Sequence, residues 1–175
     1  MPASKTAETS PQDFETPSAV PHTQLTEEKS ETLGDRFEKT VPGYLRIEHL
    51  PGGSRLGGGT GDHEPRWYAA RLIRAKLQGE PENFWWAEMA GGAMAPNLAE
   101  GDEVLIDRRV ALPVQPAIFA VDEGLGPVAK WVEYIPGSEP PRYRLGAADR
   151  RFAPYDLAAD DIRIIGRVVW ESRRL

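Results

Sequence analysis

The punctuation of this chain constrains its fold more than any other feature. Its 175 residues carry 16 prolines and 17 glycines, so a helix of several turns finds few uninterrupted windows. Proline removes a backbone donor and clashes with the preceding turn, while glycine carries backbone freedom that a helix must freeze. What lies between the breaks is largely aromatic and β-branched. Asn83 to Met89, Glu103 to Asp107, Ala117 to Asp122, Val128 to Ile135, Arg142 to Leu145 and Asp161 to Glu171 are strand-like runs, separated by turns rich in Gly, Pro and Asp. Short strands at this spacing predict a mainly β fold, a coiled antiparallel sheet or partly open barrel. One helix is expected beside them. Pro65 stands where a first helical residue is favoured and Gly79 where a helix ends, and between them Tyr68, Leu72, Ala75 and Ile73, Leu77 recur at helical spacing.

Residues 1–42 read differently. They are rich in Ser, Thr, Pro, Glu and Gln, and such a segment cannot bury enough apolar surface to offset its ordering entropy, so a disordered acidic tail is expected. Leu33, Phe37 and Val41 could make one helical turn, which is too little for a helix-turn-helix. The tail holds 4 basic and 8 acidic residues of the chain's 21 and 27, leaving 17 and 19 for residues 43–175. Neither part has the basic footprint that neutralises phosphates, so direct nucleic-acid binding by this chain alone is not expected. No apolar run reaches the roughly 18–20 residues that span a bilayer, and the first residues lack a basic-then-apolar signal pattern. A cytoplasmic protein with no membrane role is the expectation. With no Cys, and with His22, His49 and His63 scattered, neither a disulfide nor a metal site is expected, and no cofactor is called for.

A glycine-rich segment spans residues 52–61. As a phosphate cradle it lacks the Lys-Ser/Thr that completes such a loop, and a flexible loop is the better reading. Further on comes Gly91-Gly92-Ala93-Met94-Ala95-Pro96-Asn97-Leu98, then Gly101-Asp102 and the strand Val104-Leu105-Ile106-Asp107. This stretch resembles the G-D-S-M-x-P-x-L signature of the LexA/phage-repressor family of self-cleaving regulators, with its following G-D and V-L-V-D-like strand. The likeness continues through Gly124-Leu125-Gly126-Pro127-Val128-Ala129-Lys130, Tyr134 to Arg142, Ala153-Pro154-Tyr155 and Ile164 to Trp170. It covers roughly residues 44–175, within an expected domain of residues 43–175. It implies the LexA- and signal-peptidase-like coiled antiparallel sheet.

In that family a Ser attacks a peptide bond in the protein's own linker, and a buried, neutral Lys takes the Ser proton. The resemblance places the general base at Lys130, the nucleophile at Ala93 and the cleavable linker near Leu56-Gly57. Lys130 can also be read from its strand. Alternation groups it with Val128, Val132 and Tyr134, and the alternative buries Ala129, Trp131 and Ile135 and leaves Lys130 in water. Pattern alone favours the second reading, since Lys is seldom fully buried; the motifs around it favour the first. Ala93 cannot act, because a methyl group neither attacks a carbonyl nor gives up a proton. Asp102, Asp107, Asp160 and Asp161 read as solvated turn carboxylates rather than catalytic pairs.

The expectation is therefore a catalytically inactive LexA/CI-repressor-like domain, a dimerisation or regulatory module in transcriptional control of the SOS type, able to pair with family repressors. The alternative is a self-cleaving Ser/Lys peptidase domain carrying an engineered Ser-to-Ala substitution at Ala93. Gly92 where Asp is usual, Ala95 where a polar residue is usual, and Ala147-Ala148-Asp149-Arg150 in place of S-D-N-P favour natural loss. A homodimer through the C-terminal strand is expected on three grounds: Ile165 and Val169 lie on the face opposite Ile162, Ile164, Val168 and Trp170; a terminal strand tends to lie at a sheet edge; and the family dimerises through this domain.

Overall fold

The structure is a computed structural model that describes residues 43–61 and 64–173; the expected disordered tail, residues 1–42, lies outside them. Nine strands form two antiparallel sheets. β1 (Tyr44–Ile47) and β2 (Arg66–Ala69) make a two-stranded sheet. The other seven are β3 (Phe84–Glu88), β4 (Glu103–Asp107), β5 (Ala117–Asp122), β6 (Pro127–Tyr134), β7 (Arg142–Gly146), β8 (Tyr155–Ala158) and β9 (Arg163–Ser172). They order as β3-β4-β9-β5-β6-β7-β8. The mainly β fold read from the proline and glycine spacing is the fold observed.

The helix expected between Pro65 and Gly79 is much shorter. Arg66 to Ala69 pair with β1 instead, and only Arg71–Lys76 coil, in a wide turn whose Leu77 N–H reaches the Leu72 carbonyl. Tyr68 shows why: its strand position buries it, 7% exposed, with its ring edge-on to Trp170. A cross-strand aromatic contact overrides the helical spacing. The wide turn ends on Arg109, which donates to the Leu77 and Gln78 carbonyls and pairs with the buried carboxylate of Asp107. A cation at exposed C-terminal carbonyls satisfies acceptors that the turn itself cannot.

Three apolar clusters share the sheet. Ile47, Tyr68, Ile73, Phe84, Trp86 and Leu105 join the small sheet to β3 and β4. Phe119, Val121, Val132, Tyr143 and Leu145 fill the space around β5, β6 and β7. Leu56, Met89, Met94, Leu98, Ala120 and Ala129 lie under the site described below. Of the adjacent tryptophans, Trp86 is fully buried, whereas Trp85 is half-buried beneath the guanidinium of Arg108.

β9 corrects two premises of the dimer expectation. In the sheet order the strand stands between β4 and β5, not at an end, with Arg163 to Arg167 pairing with β5 and Arg167 to Ser172 with β4, so that only Arg167 is paired on both sides. Its alternation is also broken twice, because the register shifts leave out Ile165 against β5 and Val169 against β4. A bulge inserts one unpaired residue and turns the following side chains. Ile165 therefore packs with Val168 on the Leu56 cluster, and Val169 packs with Trp170 on the Trp86 cluster. Both aliphatics are half-buried against the chain's own clusters rather than standing together on one free face.

No helix among the described residues is long and apolar enough to cross a membrane.

Candidate functional site

The site is built from four separate pieces of chain. The first is the segment after β1, which runs parallel to the outer edge of β3. Leu50 N–H bonds to the Trp86 carbonyl and Trp86 N–H to that of Glu48; Leu56 N–H bonds to the Glu88 carbonyl and Ala90 N–H to that of Leu56. The glycine-rich loop is thus no free flap at Leu56-Gly57. Leu56 is fully buried, and Gly57 N–H donates to the Pro127 carbonyl at the start of β6 at 3.0 Å. Arg55 fixes the approach by donating to the Met89 carbonyl and pairing with Glu88 at 2.7 Å. Gly57 has φ +116°, and a Cβ there would run into the Ala90 carbonyl oxygen, so only glycine fits.

The second piece is the turn from Gly91 to Gly101 between β3 and β4, which carries Ala93. Its base is locked by Asp102, 2% exposed. That carboxylate accepts from Ala99 N–H at 2.7 Å and from the guanidinium of Arg173, which also donates to the Pro96 and Asn97 carbonyls. The Arg173 hydrogen bonds hold the Asp102 carboxyl below the usual carboxylate range. Asp107 is likewise buried and paired with Arg109. Contrary to the expectation, neither aspartate is solvated: Asp102 faces Arg173 from a distant part of the chain, and Asp107 faces Arg109 from its own turn. Asp160 and Asp161 are exposed, as expected.

The third piece is Lys130 in β6, directly opposite Phe119 of β5. It is half-buried, so neither alternative of the strand pattern holds in full. β6 buries both Ala129 and Val132 and leaves Trp131 37% exposed. The Lys130 ammonium lies over the ring of Tyr155, 5.4 Å from its centroid, a distance at which the ring quadrupole attracts a cation. The Tyr155 hydroxyl donates to Glu123 at 2.7 Å, and burial, then that carboxylate, push its pKa up.

The fourth is the stretch between β7 and β8. Asp149 N–H donates to the Ala93 carbonyl at 3.0 Å, Ala148 packs on the cluster below, and Phe152 stands over the opening.

These pieces enclose a cavity of about 280 Å³, and Leu56, Gly57, Ala93 and Lys130 all line it. Four positions that lie far apart in sequence therefore meet at one cleft. Phe152 and Arg173 did not stand out in the sequence, and Tyr155 did so only within the resemblance; their tertiary contacts bring them to the site. Chemically, the cleft can hold an extended backbone, offer N–H groups and present a cation. It cannot deliver an attacking oxygen from position 93. Among the described residues, no cluster of His, Cys, Asp and Glu could hold a metal ion.

Comparison with known proteins adds no family to this geometry: no protein-family model matches the chain, and no curated protein matches it.

Proposed function

We propose that this chain is a non-cleaving module of the LexA/phage-repressor type, which retains the peptide-holding cleft of a self-cleaving regulator and has lost its nucleophile. The observation that carries the reading is the convergence of Leu56-Gly57, Ala93 and Lys130 on one cavity. A segment paired edge-on to β3 and β6 lies as a substrate backbone would, by strand addition. The residue at the nucleophile position ends in a methyl group. Transcriptional control, pairing with related repressors and a cytoplasmic location belong to this reading through the resemblance alone.

Two incubations test it together. The wild-type chain incubated at alkaline pH is expected to remain one species of 19.4 kDa by mass spectrometry. A fragment ending near Leu56, formed without another protease, contradicts the reading. Ala93→Ser is expected to restore little cleavage. The Asp149 hydrogen bond ties the 147–150 stretch to the Ala93 turn, and misplacement by about 1 Å can cost roughly a hundredfold in rate. Brisk cleavage by this variant favours the alternative, a substituted but otherwise competent peptidase.

Self-association through the C-terminal strand keeps one structural support. Residues 168–172 pair only with β4, because β5 leaves β9 beyond Phe119. No other strand among the described residues takes their second edge, and an open edge can template another chain. Sedimentation at high micromolar concentration is expected to give a dimer; a monomer removes this part of the proposal.

A further inference from the structure

The Leu56-Gly57 segment closes one wall of the cleft and leaves the cavity beside it open. Elsewhere in the lining, just beyond Ala90, the backbone N–H groups of Gly91, Gly92 and Ala93 find no acceptor among the described residues. Successive free N–H groups in a glycine-bearing turn make a concave donor site that favours anions. Lys130 supplies the one charged side chain of the lining. It is half-buried, held over an aromatic ring, and without a carboxylate partner among the described residues. Everything else around the space is apolar, including Met89, Met94, Val128 and Phe152, the last 51% exposed at the mouth. A cavity with apolar walls and a few convergent donors selects a ligand with an apolar body and one charged acceptor end.

We infer that the cleft binds an aliphatic carboxylate, its oxygens on the Gly91–Ala93 N–H groups and the Lys130 ammonium, its chain against Met89, Met94 and Phe152. Two sources share this chemistry, a free short-chain acid and the C-terminal carboxylate of a peptide ending in an aliphatic residue. The inference rests on the reading that the cleft holds ligands without cutting them.

The test is calorimetric titration of the full chain with hexanoate, with acetyl-alanyl-leucine and with hexanamide, the intact mass being checked in each sample. At least one acid is expected to bind, and the tighter acid identifies the source. Hexanamide keeps the chain and lacks the charge, so it is expected to bind at least about tenfold more weakly, as the loss of charge-assisted hydrogen bonds requires. Lys130→Gln is expected to weaken the acid by a similar factor. The comparison of acid with amide on the wild-type chain decides the matter even if that variant does not fold. Equal binding of hexanamide, or no binding by either acid with the chain intact, overturns the carboxylate site. Cleaved chain in the same samples overturns the non-cleaving reading instead.

Discussion

The two walls of the cleft are both loops rich in glycine, and they use their backbones in opposite ways. Leu56 and Gly57 place theirs in a ladder, with N–H groups bonded to Glu88 of β3 and Pro127 of β6, the Leu56 carbonyl bonded to Ala90 and the Leu56 side chain fully buried. Residues 91–93 line the cavity, and their N–H groups make no backbone hydrogen bond among the described residues. Gly57 is required by close approach and a left-handed φ. Gly92 has a backbone outside that region and nothing within 4 Å of a Cβ position. The same residue type therefore marks a fixed contact on one wall and spare room on the other. The difference teaches that glycine content alone does not signal a mobile loop; where the backbone hydrogen bonds go decides it.

The largest expected effect follows from the buried wall. Leu56→Ala removes a fully buried side chain from the cluster beneath the cleft, and such truncations cost about 2–5 kcal/mol. A fall of that size in urea denaturation is expected; a change below about 0.5 kcal/mol, typical of exposed positions, would mean that the segment is not docked.

A middle-sized effect concerns the clamp at the base of the Ala93 turn. Because the folded pKa of Asp102 is lowered by Arg173, its stabilisation is full above the unfolded carboxylate value of about 3.9 and is lost as pH falls through the lower folded value. Asp122, Asp149 and Asp156 are also lowered by arginine partners, so the wild-type curve is a sum. Asp102→Asn isolates the pair with Arg173. It is expected to lower stability at neutral pH and to flatten the acid limb of the stability curve. A variant whose acid limb matches the wild type would remove the clamp from the account.

Much of this was legible in the sequence, and the failures have physical causes. β4 and β5 run between the residues where β-branched and aromatic content begins and ends. β2 was hidden because Tyr68 fits a helical spacing with Leu72 as well as it fits a strand beside β1. β8, Tyr155–Ala158, follows a proline and has neither a long apolar run nor clear alternation. The bulges at Ile165 and Val169 could not be read at all, since alternation assumes the period that a bulge breaks. At the site, Ala93 and Lys130 stood out only through the resemblance. The docking of Leu56-Gly57 was obscured because glycine-rich composition looks the same whether or not the backbone is paired.

The smallest expected effect is on the open wall. Gly92→Ala meets no atom within 4 Å and is expected to change stability by no more than about 0.5 kcal/mol. Gly57→Ala, by contrast, forces the backbone away from Ala90 and is expected to destabilise clearly. Equal effects at the two positions would erase the contrast between the walls.

Amide hydrogen exchange read residue by residue tests the central claim most directly, because one experiment reports both walls at once. Leu56, Gly57 and Ala90 donate to backbone carbonyls and are expected to exchange as slowly as neighbouring strand amides, since exchange requires a local opening. Gly91, Gly92 and Ala93 are expected to exchange near the rate of an unprotected chain. Fast exchange at Leu56 and Gly57, matching that of Gly91 and Gly92, would contradict a cleft closed on one side by the protein's own backbone.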